Sequence, residues 1–184
     1  MEKLNRITLL DDTRRPKAPK IAGLSAQQRA HGRRLRWFHN MHRAQLDEVR
    51  DAMMAFDAEG LRDKVAALAM SANYRRFGNL CGEECQMLSG HHGIEDAHMF
   101  PILHSAGGAG LRKVVERLMA EHLVVHELIE ELEAAAEVLT RLPTVENFAA
   151  AKEAFSDLEK CVKSHFGYEE TELEEALGFI DVGI

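Results

Sequence analysis

The sequence predicts an all-α fold, an antiparallel up-down four-helix bundle carrying an irregular N-terminal arm. Three observations lead there. Apolar residues recur in alternating steps of three and four along four long stretches, the period of helices that bury one face. Composition favours helix, with 6% aromatic residues and only 4 prolines in 184 residues, alongside plentiful Ala, Leu, Glu, Arg and Met. Connections between the stretches are short and marked by Gly or Pro, as between antiparallel neighbours. No strand pattern, repeat or low-complexity segment is legible, and the length fits one domain able to bury a core unaided by disulfides.

Residues 1–23 mix charges, hold two prolines in Arg15-Pro16-Lys17-Ala18-Pro19 and lack an apolar period, so they form the arm. Its apolar positions Ile7, Leu9, Leu10 and Ile21 could dock on the domain or on a second subunit, as in a homodimer. Residues 24–184 form the bundle. Ser25 with Gln28 makes a capping box, and the first helix that follows carries Leu35, His39, His42, Leu46, Val49, Met53 and Phe56 inward, closing near Asp57–Gly60. The second helical region, about 61–100, turns Val65, Leu68 and Ala72 inward, then Leu80, Glu84, Met87 or Leu88, His91, Glu95 and His98. Its glycines 78, 82, 90 and 93 each cost roughly 1 kcal/mol against Ala, which leaves room for a break near 73–79. Pro101 is expected to end or kink it, and Ser105–Gly110 reads as a loop. A third helix, about 111–140, shows Leu111, Val115, Leu118, His122, Val125 and His126, Ile129 and Leu132 on one face. After Pro143, Thr144 can cap a fourth, with Phe148, Phe155, Leu158, Val162, His165, Glu169 and Leu173 inward.

Charge excludes some functions. A net charge of -7 with scattered Lys and Arg argues against a nucleic-acid partner. The apolar runs fall far short of the roughly 20 residues of a membrane span, and the N-terminus has no signal-peptide core. A cytoplasmic protein is therefore expected. The odd set Cys81, Cys85 and Cys161 makes a disulfide framework improbable in that setting. Cys81 and Cys85, four apart, are small buried side chains or, less commonly, an oxidant-responsive pair.

The polar residues on the inner faces carry the chemistry. His91 with Glu95, His122 with His126 and His165 with Glu169 are each one helical turn apart and face the same way. His39 or His42 adds a fourth contribution. An unpaired buried imidazole costs a few kcal/mol and a carboxylate more, so this many would unfold a marginally stable domain. A pair of dications would gather them, with carboxylates as bridges. Imidazole with carboxylate suits iron, zinc, copper or manganese, and the lack of thiolates on the inner faces argues against structural zinc and iron–sulfur clusters. Di-iron carboxylate bundles need two Glu-x-x-His motifs, whereas this chain has one, Glu95 to His98; a His-rich site favours binding a diatomic gas over storing iron.

The order His, His-x-x-x-Glu, His-x-x-x-His and His-x-x-x-Glu on successive helices, across about residues 30–175, resembles the hemerythrin and HHE cation-binding family. His91-His92-Gly93-Ile94-Glu95-Asp96, followed by Phe100-Pro101, resembles its bacterial branch. That resemblance implies two non-heme iron ions (Fe2+/Fe3+) joined by an oxo or hydroxo bridge. His122, His126 and His165 would hold one, His39 and His91 the other, and Glu95 and Glu169 would bridge them. The second iron would keep an open position where O2 binds end-on and leaves again. His39 matches the family spacing to Arg43 and Leu46, with His42 one turn on as the alternative. Four residues after His165 return to its face and five turn roughly 140° away, favouring Glu169 over Glu170 unless Gly167 distorts the turn. His31, His98 and His104 read most simply as surface or supporting groups and His92 with Asp96 as an exposed pair, while His98, one turn beyond Glu95, could instead donate a proton to bound oxygen.

Three classes of function follow: O2 carriage, storage or sensing; an enzyme handling hydrogen peroxide or nitric oxide, favoured by His42 and His98 as proton groups; and iron-dependent or redox regulation.

Overall fold

The computed structural model describes residues 4–54 and 82–182, and every regular element among them is helical. In chain order these are α1 (Arg6–Leu9), a 3-10 turn (Asp12–Arg14), α2 (Ala26–Gly32), α3 (Arg34–Met54), α4 (Gly82–Ile94), a π-helical turn (Glu95–Met99), α5 (Phe100–Ala106), α6 (Ala109–Arg141) and α7 (Val145–Phe179). Phe56, the stop at Asp57–Gly60, the inner face at Val65, Leu68, Ala72 and Leu80, the break near 73–79, Cys81 and the side chain of Glu84 lie outside the described residues. Among the described residues no helix is long and apolar enough to cross a membrane.

Local chemistry sets the helix starts. Gly23, at φ 79°, adopts the left-handed conformation that glycine alone enters freely. Two residues on, Ser25 Oγ accepts from the Gln28 amide at 3.2 Å and Gln28 Oε1 from the Ser25 amide at 2.9 Å, the reciprocal cap the sequence predicts. Thr144 Oγ1 caps α7 by accepting from the Asn147 amide at 3.2 Å.

Between Glu95 and Gly110 one expectation, that Pro101 ends or kinks the helix, is narrowed and another is corrected. Pro101 does not end the helical run. It sits at the start of α5, directly after the π-turn in which the Phe100 amide donates to the Glu95 carbonyl, five residues back. A proline cannot donate to the carbonyl four residues behind it, and a widened turn ahead of it lets the helix continue. The loop predicted at Ser105–Gly110 shrinks to Gly107 and Gly108, because α5 runs to Ala106 and α6 begins at Ala109.

The chain divides into two compact units, one of Met1–Met41, Gly90–Val124 and Cys161–Ile184, the other of His42–Ser89 and Val125–Lys160. In the first, Leu35, Met99, Phe100, Leu103, Leu118, Leu173 and Leu177 form a continuous buried core. The second buries Met53, Leu88, Leu128, Ile129, Leu132, Phe148, Phe155 and Leu158, and on its surface Arg50 joins Asp47 at 2.6 Å and Glu159 at 2.8 Å. Cys161 is free and buried. Cys85 is disulfide-bonded, where the sequence made a disulfide framework improbable and left an oxidant-responsive cysteine as the less common reading.

The arm belongs to the first unit and docks there. Leu9 is fully buried. The Ala18 and Ile21 amides donate to Glu172 Oε2 at 2.7 Å and Glu175 Oε2 at 2.6 Å on α7. Close to these contacts α2 meets the end of α7 backbone to backbone. A Cβ at Gly32 would collide with the Glu174 carbonyl, and one at Gly178 would lie 2.6 Å from the Gln28 carbonyl oxygen. Neither backbone can yield as a flexible side chain would. Gly32→Ala is therefore expected to cost about 1–3 kcal/mol, the range for overpacking, seen in a thermal scan as a Tm lower by roughly 3–10 °C.

Candidate metal centre

Four helical segments of the first unit bring seven donor residues together. His39, His91, Glu95 and Glu169 form one group and His92, His122 and His165 another, with ligand atoms in each group within 4.8 Å of one another. All are buried except His91, which is partly exposed. The carboxylates link the groups. Glu95 Oε1 lies 3.1 Å from His91 Nε2 while its Oε2 lies 3.5 Å from His122 Nε2. Glu169 Oε2 lies 3.4 Å from His39 Nε2 and 3.6 Å from His165 Nε2.

These separations are informative because they are not hydrogen bonds. All four carboxylate oxygens of Glu95 and Glu169 are buried and accept none, although a buried carboxylate left so costs several kcal/mol. Ligands about 2.1 Å from one cation lie roughly 3.0 Å apart at octahedral angles and roughly 3.4 Å at tetrahedral angles. Two of the observed spacings, 3.1 and 3.4 Å, fall in that range, and the other two, 3.5 and 3.6 Å, lie just above it.

The outer nitrogens fix the inner ones. His39 Nδ1 lies 3.0 Å from Glu170 Oε1, His122 Nδ1 lies 2.9 Å from Asp96 Oδ1 and His165 Nδ1 lies 3.2 Å from Glu121 Oε2. A carboxylate at Nδ1 assigns the proton there and leaves Nε2 a bare lone pair. Yet His39 Nε2 faces His91 Nε2 at 3.1 Å, and His122 Nε2 faces His165 Nε2 at 3.2 Å. In the second pair both lone pairs are inward, an arrangement that a shared cation satisfies and water or a hydrogen bond between the rings does not. The residues present thus fit a metal pair.

Charge tells the same story. Burial, then the Glu169 and Asp96 charges, push the Glu95 carboxyl well above its ordinary value. Burial would raise Glu169 too, but the His39, His165 and His122 rings hold it at about 2. His39 is lifted despite burial by Glu169 and Glu170, while burial keeps His165 low against the pull of Glu121. Apolar rings wall the site: Phe166 stacks on His39 at 3.9 Å between centroids and Phe100 on His122 at 5.3 Å.

Three positions land elsewhere than predicted. His98 is exposed: the π-turn adds a residue, so Met99 and Phe100 follow Glu95 into the core. His92 is no exposed pair with Asp96; it is fully buried and stacks on His122 at 4.0 Å, at the normal steps from Leu88 to His92 to Glu95. His126 is partly buried in the second unit and joins neither group, Val125 continuing the α6 stripe instead. His42 is buried in the second unit as well, and Glu170 stands behind His39 as its supporting carboxylate. Sequence reasoning missed Glu121 and Asp96 in that supporting role; each is next to a donor histidine or carboxylate, a weak mark. Losing a ligand should cost more than the roughly 10–100-fold that losing a supporting partner costs. Titration of the metal-free variants should therefore show His92→Ala weakened beyond that range and His126→Ala unchanged within about threefold.

A comparison with curated proteins and another with solved structures each gave no match. The family model for the hemerythrin HHE cation binding domain matches residues 32–177, a span that includes every one of the seven donors. The chain is a member of the hemerythrin HHE cation-binding domain family.

Proposed function

We propose that this domain holds two iron ions and binds O2 reversibly, for carriage, storage or sensing. The reading rests on one observation: two buried carboxylates, with no hydrogen bonds, lie between a group of three imidazoles and a group of two. His92, His122 and His165 would hold one ion, His39 and His91 the other, and Glu95 and Glu169 would bridge. With one imidazole fewer, the residues of the second group would leave room there for a small ligand. We take the four segments as walls of an antiparallel up-down four-helix bundle.

When bound, the iron pair supplies electrons to a diatomic ligand and takes them back. The chain's own residues set the surroundings for that exchange. Glu170, Asp96 and Glu121 hold three imidazoles with Nε2 inward, so the site needs no rearrangement to accept a cation. Phe100 and Phe166 exclude water beside the rings, which slows proton delivery to a bound ligand. His98, the group that would have favoured proton-coupled turnover of peroxide or nitric oxide, points to solvent. That favours carriage over the enzymatic alternative.

The test begins with metal analysis of protein purified without added iron, expected at about two ions per chain on this reading. Stopped-flow mixing of the reduced, anaerobic protein with O2 should then give an absorption band that disappears under vacuum and returns with air. Irreversible oxidation, or O2 released from added peroxide, would replace this reading with the enzymatic one.

A further inference from the structure

Arg15 belongs to the N-terminal arm, yet only 5% of it is exposed. An arginine is seldom buried so fully without a specific partner. Its partner is Glu121, itself fully buried: Nε donates to Oε1 at 2.9 Å and Nη2 to Oε2 at 3.0 Å. This is the planar two-point fit that only a guanidinium provides. Nη1 donates to Asp12 Oδ1 at 2.6 Å and Ser164 Oγ at 3.0 Å, and the group lies 4.7 Å over the Tyr168 ring.

Glu121 is the carboxylate behind His165, and both of its cations are tied to the arm. Arg15 is part of it; Arg117, whose Nε donates to Glu121 Oε1 at 2.7 Å, also donates from Nη2 to the Thr8 carbonyl at 2.7 Å. The Tyr168 hydroxyl donates to the Pro16 carbonyl at 2.8 Å, and Ala18 and Ile21 bond Glu172 and Glu175. Tyr168, Glu172 and Glu175 lie on α7, which also carries His165 and Glu169. The supports of His39 and His122 have other neighbours: Glu170 faces half-exposed Arg36, and Asp96 reaches solvent.

We propose that the arm is a metal-linked strap in which Arg15 is a positioning residue, acting on the three-histidine group through Glu121 and His165. With the arm docked, Glu121 is held in place and keeps the His165 ring turned so that Nε2 points at its neighbours. Undocked, Glu121 keeps only Arg117 and the ring is free to relax away from His122. Docking and metal occupancy therefore favour each other, and such coupling must be reciprocal. The proposal rests on the metal reading of the site.

Hydrogen exchange on the full chain, with and without iron(II) added anaerobically, tests it. Exchange at the Ala18 and Ile21 amides should slow about tenfold on loading, matching a coupling of that size. Arg15→Ala should lose this slowing and bind iron(II) roughly 10–100-fold more weakly, while Arg14→Ala, at its exposed neighbour on the arm, should bind as the wild type does. Arg15→Lys keeps the charge without the fork and should recover little of the affinity. Unchanged arm exchange on loading, wild-type affinity in Arg15→Ala, or full recovery by Arg15→Lys would each overturn the strap. Wild-type protein that takes up no iron(II) would overturn the metal reading first, and the strap with it.

Discussion

Glu95→Gln is expected to weaken metal binding more than 100-fold and at the same time to raise the Tm of the metal-free protein. The two effects share a cause. Glu95 spans both groups, with one oxygen 3.1 Å from His91 Nε2 and the other 3.5 Å from His122 Nε2, so an amide in its place removes a bridge. A supporting partner is worth roughly 10–100-fold in affinity, and a shared ligand is worth more. Without metal the same carboxylate is a liability, because burial and the Glu169 charge push its proton affinity up.

The sign follows from linkage. A carboxyl raised on folding contributes stability that is complete below its unfolded pKa and is lost as pH rises toward the raised value. The metal-free wild type is therefore penalised near neutrality and not near pH 4. Glu95→Gln removes the penalty, about 1–3 kcal/mol by comparison with other buried charges, or roughly 2–10 °C in Tm. Thermal scans of metal-free protein at pH 7 and pH 4 check this. A variant that is less stable at pH 7, or gains equally at both, would show that Glu95 is held by something other than the metal site.

Much of this site was legible because a straight α-helix returns a side chain after four residues. His91 with Glu95, and His165 with Glu169, were placed by that rule alone, and the structure brings all four donors to one unit. Where the helix is not straight the rule fails. It carries the stripe from Glu95 to His98, but the π-turn gives Met99 the inner place. Nothing in the residue types announced that turn except Pro101, which reads equally well as a stop. His92 was obscured differently, since two adjacent histidines compete for one face and pairing with Asp96 suggested the wrong one. His126 sits only 40° from His122 on an ideal helix, too small an angle for spacing to separate it from Val125. The Arg15–Glu121 pair joins residues 106 apart and leaves no periodic mark, so an arm that spacing showed only as irregular proves to reach the support of His165.

Stripping the metal should lower Tm by roughly 5–10 °C at pH 8 and by clearly less at pH 6. The first figure follows from mass action: a ligand at 100 times its Kd stabilises by about 2.7 kcal/mol, and 1 kcal/mol is about 2–4 °C at this chain length. The pH dependence follows from which donors hold protons when the site is empty of cations. His39 is raised, burial notwithstanding, by Glu169 and Glu170, so its stabilising proton is fully effective below about 6.5 and is lost as pH climbs through the raised value. Glu95, raised by burial and Glu169, behaves alike. His165, lowered by burial, gains no proton on folding that loading could release. Between pH 6 and pH 8 the metal-free protein thus loses stability at His39 while the metal meets less competition there. Both changes widen the gap between loaded and stripped protein. The same reasoning sets the proton balance: loading near pH 7 should release protons held at the raised groups, His39 first, measurable in a pH-stat. No release, together with a gap that is equal at pH 6 and pH 8, would mean that the cation binds elsewhere and that Glu95 and His39 keep their protons in the loaded protein.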